Sequence, residues 1–228
     1  MIIKNWEKLP ENLRKDEVHI YYERLRKKSF SLILKRLFDV IMSLILILIL
    51  SPVLIIISII IKKEDGGSVF YRQVRITQYG KEFKIFKFRT MVEGADKIGS
   101  LVTRDEDVRI TRVGRALRKY RLDELPQLFN ILIGDMTFVG TRPEVPKYVE
   151  KYTDEMMATL LLPAGVTSEA SIMFKDEDKF ISKEIDADKV YVDEILPKKM
   201  EYNLNQLKNF SIGHEILLLL KTVKAVSR

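Results

Sequence analysis

Residues 40–61 read VIMSLILILILSPVLIIISIII, a run without one charged side chain. As a helix rising about 1.5 Å per residue, this run is long enough to span a bilayer core. A polar stretch precedes it and no small-residue cleavage site follows, so it does not read as a signal peptide. Ser51-Pro52 stands in its middle. Proline removes a backbone donor and crowds the preceding turn, so a kink or break is expected there. Lys35-Arg36 flank one end and Lys62-Lys63 the other, and the positive-inside rule draws both ends to the cytoplasmic face. Two readings stay open on these residues: a re-entrant hairpin with both ends on one side, and a kinked span. A buried core helix of a soluble protein fits the unbroken apolar run poorly.

Around this run the composition is that of an ordinary globular domain. Of 228 residues, 46% are hydrophobic and 31% charged, which excludes both a disordered tail and a polytopic membrane protein. The net charge of +7 suits anionic partners such as phosphates, nucleic acid or an anionic membrane face. With no cysteine there is no disulfide framework and no thiolate or zinc–thiolate chemistry. The chain divides into an N-terminal amphipathic extension (1–34), the membrane helix (35–63) and a catalytic-type domain (64–228). Residues 11–30 read as a charged amphipathic helix, placed either at the membrane surface or on the domain. Residues 211–226 read either as an interfacial helix or as a C-terminal core helix.

After Glu64-Asp65-Gly66-Gly67, the segments SVFYRQVRI (68–76) and EFKIFKFRT (82–90) read as two strands around Tyr79-Gly80. In the second, Phe83, Ile85 and Phe88 alternate against Lys84, Lys87 and Arg89. Residues 111–134 turn helical with an interruption at Pro126, and further helices are expected over 145–160, 184–200 and 202–226. The fold class is therefore α+β and helix-rich.

Residues 118–136, RKYRLDELPQLFNILIGDM, carry the strongest chemical signal. Asp123 and Glu124 are adjacent acids, closely preceded by Arg115, Arg118, Lys119 and Arg121. Carboxylates beside a basic cluster suit a metal–phosphate site, where acids hold Mg²⁺ or attack phosphorus and cations neutralise phosphate oxygens. Pro126 would suit the first turn of a new helix, with the acids at its entry. A capping acid with surface ion pairs accounts for the same residues. Lys87, Arg89 and Arg142 are further phosphate-ligand candidates, each of which taken singly also fits a solvated surface charge. His19 and His214 lack ligand-like spacing. The run Lys175-Asp176-Glu177-Asp178 reads as a solvated loop. The glycines form neither a P-loop nor a dinucleotide fingerprint.

Taken in order, these pieces resemble the monotopic polyprenyl-phosphate phosphoglycosyl transferases, also called bacterial sugar transferases. The resemblance runs over residues 35–228. Lys35-Arg36-Leu37-Phe38-Asp39 opens the membrane helix and Ser51-Pro52 breaks it. Val69-Phe70-Tyr71-Arg72-Gln73 and Phe86-Lys87-Phe88-Arg89-Thr90-Met91 follow. Then come Asp107-Val108-Arg109-Ile110-Thr111, Leu122-Asp123-Glu124-Leu125-Pro126-Gln127, Val139-Gly140-Thr141-Arg142-Pro143 and Pro163-Ala164-Gly165-Val166-Thr167. The resemblance implies a re-entrant hairpin entering one leaflet of the inner membrane, with a small domain on its cytoplasmic face. It implies transfer of a phosphosugar from a UDP-sugar to polyprenyl (undecaprenyl) phosphate through an aspartyl-phosphosugar on Asp123, with release of UMP. Such a step opens the assembly of exopolysaccharide, capsule, O-antigen or glycoprotein glycan. It further implies that Glu124 supports Mg²⁺ with Asp123, and that Lys87, Arg89, Arg118 and Arg142 bind phosphate. It leaves room for a homodimer.

The chain departs from the family pattern at Ser68, Thr77, Thr141, Ser168, Glu169 and Asn203, which puts the sugar and nucleotide pocket in question and leaves the acid pair intact. A catalytically idle membrane scaffold on the same fold is the rival function. A nucleic-acid binder rests on net charge alone and lacks any recognised module.

Overall fold

The computed structural model describes residues 3–95, 107–174 and 187–226. The acidic run at 175–178 lies outside the described residues. The dominant element is helix α2, Ser29–Asp65. It ends where Gly66 takes a left-handed φ of 74° and returns its N–H to the Lys62 carbonyl at 3.1 Å, a turn that suits a residue without Cβ. The helix is long and apolar enough to cross a membrane. Its buried positions, Leu32, Lys35, Asp39 and Ser43 in one half and Leu54, Ile57 and Ile61 in the other, recur at helical spacing on one face. The opposite face leaves Leu37, Leu44, Leu48, Ile55 and Ile59 exposed.

The interruption expected at Ser51-Pro52 does not stop the helix, which runs through both residues as a single element rather than two. The reason is local. Pro52 cannot donate to the carbonyl four residues back, which is that of Leu48. The Ser51 hydroxyl donates to that same oxygen at 2.8 Å and replaces the lost bond.

Both ends of α2 are fastened to the polar domain. Lys35, 4% exposed, donates Nζ to the Val139 carbonyl at 2.8 Å and pairs with Glu215 at 2.5 Å. Arg36 donates to the carbonyls of Ile131 and Leu132, capping a helix end. Asp39 accepts from the Thr137 hydroxyl at 2.6 Å and the Phe138 N–H at 3.2 Å. At the far end Glu64 accepts from the Val113 N–H, and Asp65 forms a two-pronged pair with Arg89.

The N-terminal residues settle on the domain. Helix α1, Asp16–Arg26, buries Val18, Tyr21, Tyr22 and Leu25 against Leu160, Leu161, Leu204 and Phe210. The predicted hairpin is present: β1, Phe70–Ile76, pairs antiparallel with β2, Glu82–Phe88, in a register that sets Tyr71 opposite Lys87. Strict alternation places Lys87 on the face of Phe83 and Ile85 and turns Phe88 to the other side, so Lys87 and Phe88 exchange the faces expected from the sequence. Phe88 packs there against Leu54, Ile57 and Ile61 of α2.

Helix α3, Arg112–Lys119, leads through a 3₁₀ turn at Leu122–Glu124 into α4, Gln127–Ile133. A two-stranded parallel sheet not anticipated from the sequence follows, pairing β3, Met136–Val139, with β4, Ala164–Thr167. Helix α5, Pro146–Val149, and a 3₁₀ stretch at Met156–Leu161 fill the connection, where one longer helix was expected. After β4 come α6, Glu169–Met173, α7, Ala187–Val190, a π turn at Tyr191–Ile195, α8, Leu196–Lys208, and α9, Ile212–Val226. The last helix is partly buried. Leu218 is buried and Glu215 reaches Lys35, while Ile216, Leu217, Leu220 and Val223 are exposed.

Asp39→Ala strips two buried donors of their acceptor, so it should cost about 2–4 kcal/mol of stability. Chemical denaturation of the detergent-solubilised protein measures this, and a loss under about 0.5 kcal/mol would contradict the anchoring role.

Candidate active site

Arg121 takes a left-handed φ of 55°, and the chain turns from it into the 3₁₀ segment that carries both acids. The adjacent carboxylates meet opposite fates. Glu124 accepts from Lys87 Nζ at 2.9 Å and from the Arg142 guanidinium at 2.5 Å on Oε1, and Arg142 also reaches Oε2 at 3.4 Å. Burial opposes ionisation of Glu124, but the two cations outweigh it and hold its carboxyl well below the usual range. Asp123 is 8% exposed, and its Oδ1 has no hydrogen-bond partner. Burial pushes the Asp123 carboxyl up, Lys87 and Arg118 pull it down, and Glu124 adds a further push upward. Burial also lowers Lys87, with Glu124 working against that shift.

Three elements converge to produce this arrangement. Lys87 comes from β2, the acids from the turn before α4, and Arg142 from the loop after β3. That loop is held in place by backbone bonds from Gly140 N–H to the Thr167 carbonyl and from Gly165 N–H to the Thr141 carbonyl, at 2.9 and 2.8 Å. The approach is so close that a Cβ on Gly165 would lie 2.2 Å from the Gly140 backbone. Arg118 completes the cationic side. Its Nε donates to Thr90 at 2.9 Å, and its charge acts on Asp123.

Arg89 stands apart. It pairs with Asp65 and donates Nε to the Ser68 carbonyl at 2.5 Å, which makes it a clasp between β2 and the end of α2. The sequence reading missed Arg75, which donates to the Pro143 carbonyl at 3.0 Å and to Gln73, bracing the Arg142 loop from behind. Its position on a strand facing Pro143 is visible only once β1 and the loop are brought together. Behind it, Glu144, Tyr191 and Lys199 form a buried polar cluster. Among the described residues no group of three or more acidic or histidine side chains forms a cage for a metal.

The profile of the bacterial sugar transferase family matches residues 30–228. This chain belongs to that family. A UDP-N-acetylgalactosamine-undecaprenyl-phosphate N-acetylgalactosaminephosphotransferase of Aeromonas hydrophila is 32% identical over 196 residues, covering 85% of this chain and 43% of the relative. An undecaprenyl-phosphate galactose phosphotransferase of Salmonella typhimurium is 34% identical over 216 residues, covering 88% of this chain and 42% of the relative. The exopolysaccharide production protein ExoY of Rhizobium meliloti is 32% identical over 207 residues, with 84% of each chain covered. The family member described here thus spans less than half the length of the first two relatives and most of the third.

The departures from the family pattern acquire local roles. Thr77 donates to the Asp135 carbonyl and accepts from the Ala164 N–H, tying the hairpin to β4. Ser168 caps α6 by accepting from the Ser171 N–H at 3.1 Å, and the Glu169 N–H donates to Gln206. The carbonyls of Ser68 and Thr141 take part in the bonds already described. Asn203 is buried with its Nδ2 toward the Met200 sulfur at 3.8 Å and its Oδ1 without a hydrogen-bond partner among the described residues.

Two substitutions separate the acids. Asp123 binds its proton more tightly in the folded chain than in the unfolded one, so stability associated with this group is lost as pH rises through the raised folded value. Asp123→Asn should therefore melt no lower than the parent at neutral pH. Glu124 has the opposite sign: its contribution is present above the unfolded carboxyl value and is lost as pH falls through the depressed folded one. Glu124→Gln strands two cations and should cost roughly 1–3 kcal/mol at neutral pH. Thermal melts of both variants at neutral pH test the pair, and a reversed order would refute the assignment of charge.

Proposed function

We propose that this chain transfers a phosphosugar from a UDP-sugar to polyprenyl phosphate, releasing UMP and leaving a polyprenyl-diphosphate-linked sugar. The observation that carries this reading is Asp123. Its carboxylate is buried beside a cationic cluster with one oxygen, Oδ1, left without a hydrogen bond, a placement that costs stability. The names of the Aeromonas and Salmonella relatives point to the same reaction class and to undecaprenyl phosphate as the acceptor.

In the first half-reaction an Asp123 oxygen forms a bond to the β-phosphorus of the UDP-sugar. The bond from that phosphorus to the oxygen bridging to the UMP phosphorus breaks, and UMP leaves with the electron pair. In the second, an oxygen of polyprenyl phosphate attacks the same phosphorus and the acyl-phosphate bond breaks, which restores the Asp123 carboxylate. A carboxylate approaching a diphosphate meets repulsion, and Arg118, Lys87 and Arg142 supply the positive field that offsets it. Glu124 holds Lys87 and Arg142 at the height of the nucleophile.

Mg²⁺ fits this site as a shared ion. It is commonly held by one or two carboxylates together with substrate phosphates, and the free Oδ1 of Asp123 is such a donor. Both oxygens of Glu124 are taken by the two cations, so its support for the ion acts through charge. When bound, the ion would neutralise diphosphate oxygens.

The membrane placement we favour is one-sided, with the domain on the cytoplasmic face. Lys35, Arg36 and Asp39 at one end of α2 and Glu64 and Asp65 at the other are bonded to the same polar domain. Separating those ends by the roughly 30 Å of a hydrocarbon core would drag that domain into the bilayer. The exposed apolar face of α2 instead enters one leaflet, which brings the site to the interface where a soluble donor meets a lipid-borne acceptor. A catalytically idle scaffold has less support, because it would retain the unpartnered buried carboxylate without any return.

Three measurements test these proposals. With UDP-sugar and no lipid, the enzyme should release UMP in an amount matching enzyme and carry a phosphosugar mass on Asp123; turnover without any adduct would point to direct displacement. Chelation of divalent ions should abolish turnover, and undiminished activity in chelator would remove the ion from the scheme. Tags at the two termini should both be reached only from the cytoplasmic side, and labelling of either from outside would establish a true span.

A further inference from the structure

Gln127 is 1% exposed, and neither its Nε2 nor its Oε1 has a hydrogen-bond partner. Leaving both halves of a buried amide unpaired is costly, and native structures seldom tolerate it without a reason. The helix that carries Gln127 does not treat buried amides this way in general. Asn130, three residues further on and fully buried, is satisfied at both ends: its Oδ1 accepts from the Phe86 N–H at 2.8 Å and its Nδ2 donates to the Lys84 carbonyl at 3.1 Å.

The backbone stays helical from the acid pair into α4, with Leu125 and Pro126 both in the right-handed region. Asp123, Gln127 and Asn130 therefore stand at i, i+4 and i+7 on one face. That face meets β2, as the Asn130 bonds to Lys84 and Phe86 show, and β2 also delivers Lys87 to Glu124. Gln127 thus lies between a helix–strand seam that is fully bonded and a carboxylate that also has a free buried oxygen.

We propose that Gln127 is a substrate-contacting residue whose unpaired amide is reserved for the phosphosugar on Asp123. Its Nε2 donates to a non-bridging phosphoryl oxygen, and its Oε1 accepts from a hydroxyl of the same sugar. A phosphosugar offers this combination of acceptor and donor, whereas an inorganic cation would leave the amide N–H unused. This inference rests on the covalent reading given above.

The test uses Gln127→Leu and the unbranched Gln127→Met in the detergent-solubilised protein. Two quantities are read: thermal midpoint without substrate, and the rate of UMP release in a single turnover with UDP-sugar alone. Because the amide makes no bond in the free protein, both variants should melt at or above the parent temperature. Loss of a donor to the phosphoryl group should slow the single-turnover step at least about tenfold, a floor set below the roughly 10²–10³-fold loss typical of removing one transition-state donor. UMP release at the parental rate in either variant would overturn the proposal. So would a clear fall in melting temperature, or failure to fold, in both variants, because either would give the amide a structural duty. Should the parent itself release no UMP without lipid, the covalent reading fails rather than this one. Steady-state turnover with polyprenyl phosphate then decides whether Gln127 contacts the transferred group.

Discussion

Two carboxyl groups on neighbouring residues cannot both be buried and ionised without help, and the pairing of Glu124 with Lys87 and Arg142 supplies that help. It cancels one of the two negative charges with cations drawn from a strand and a loop distant in sequence. Asp123 is then left as the carboxylate of the pair with an unsatisfied oxygen, beside the Lys87 and Arg118 charges. Both the strand pairing of β1 with β2 and the tight crossing of Gly140 over Gly165 bear on this point, since each fixes the origin of one cation. The site is therefore a consequence of packing three elements together rather than a property of the acid pair alone.

The same economy governs the attachment of α2. An apolar helix exposed on one face has no hydrophobic reason to prefer the domain to lipid, so its attachment is polar at both ends. Lys35, Arg36 and Asp39 reach α4, β3 and α9, while Glu64 reaches α3 and Asp65 reaches Arg89 just past the end of β2. Because β3 runs directly into the Arg142 loop and β2 carries Lys87, the long apolar helix and the cations that surround the acid pair share their supports. Pro52 is accommodated within this helix because Ser51 replaces the missing donor at Leu48. The substitution of one donor for another explains how a helix breaker can sit in an apolar run without exposing a carbonyl to hydrocarbon.

Several features were readable in the residues themselves. The apolar run at 40–61, the hairpin around Tyr79-Gly80 and the acid pair among basic residues are local patterns, written in adjacent positions. Arg89 shows where local pattern stops. On the sequence it is one more strand-borne cation beside Lys87; in the structure its partner Asp65 lies on another element, and the pair closes a joint instead of a site. Arg75 was invisible for the converse reason, since its role is defined by the Pro143 carbonyl, which the chain reaches only after two further α-helices and two further strands. The parallel pairing of β3 and β4 has the same origin: each strand has four residues, too few for periodicity to register.

By itself, then, the sequence determined that an apolar helix with basic ends would accompany a helix-rich domain, and that Asp123 and Glu124 would stand as adjacent acids close to a run of basic residues. These are consequences of hydrophobicity and of residue type, which act over a few neighbouring positions. Tertiary structure alone decided which acid would be neutralised, which cations would face it, that α2 would remain one helix across Ser51-Pro52, and that Gln127 would be buried without a partner. Those outcomes depend on distances between atoms far apart in the chain, and burial changes the strength of every charge and hydrogen bond among them.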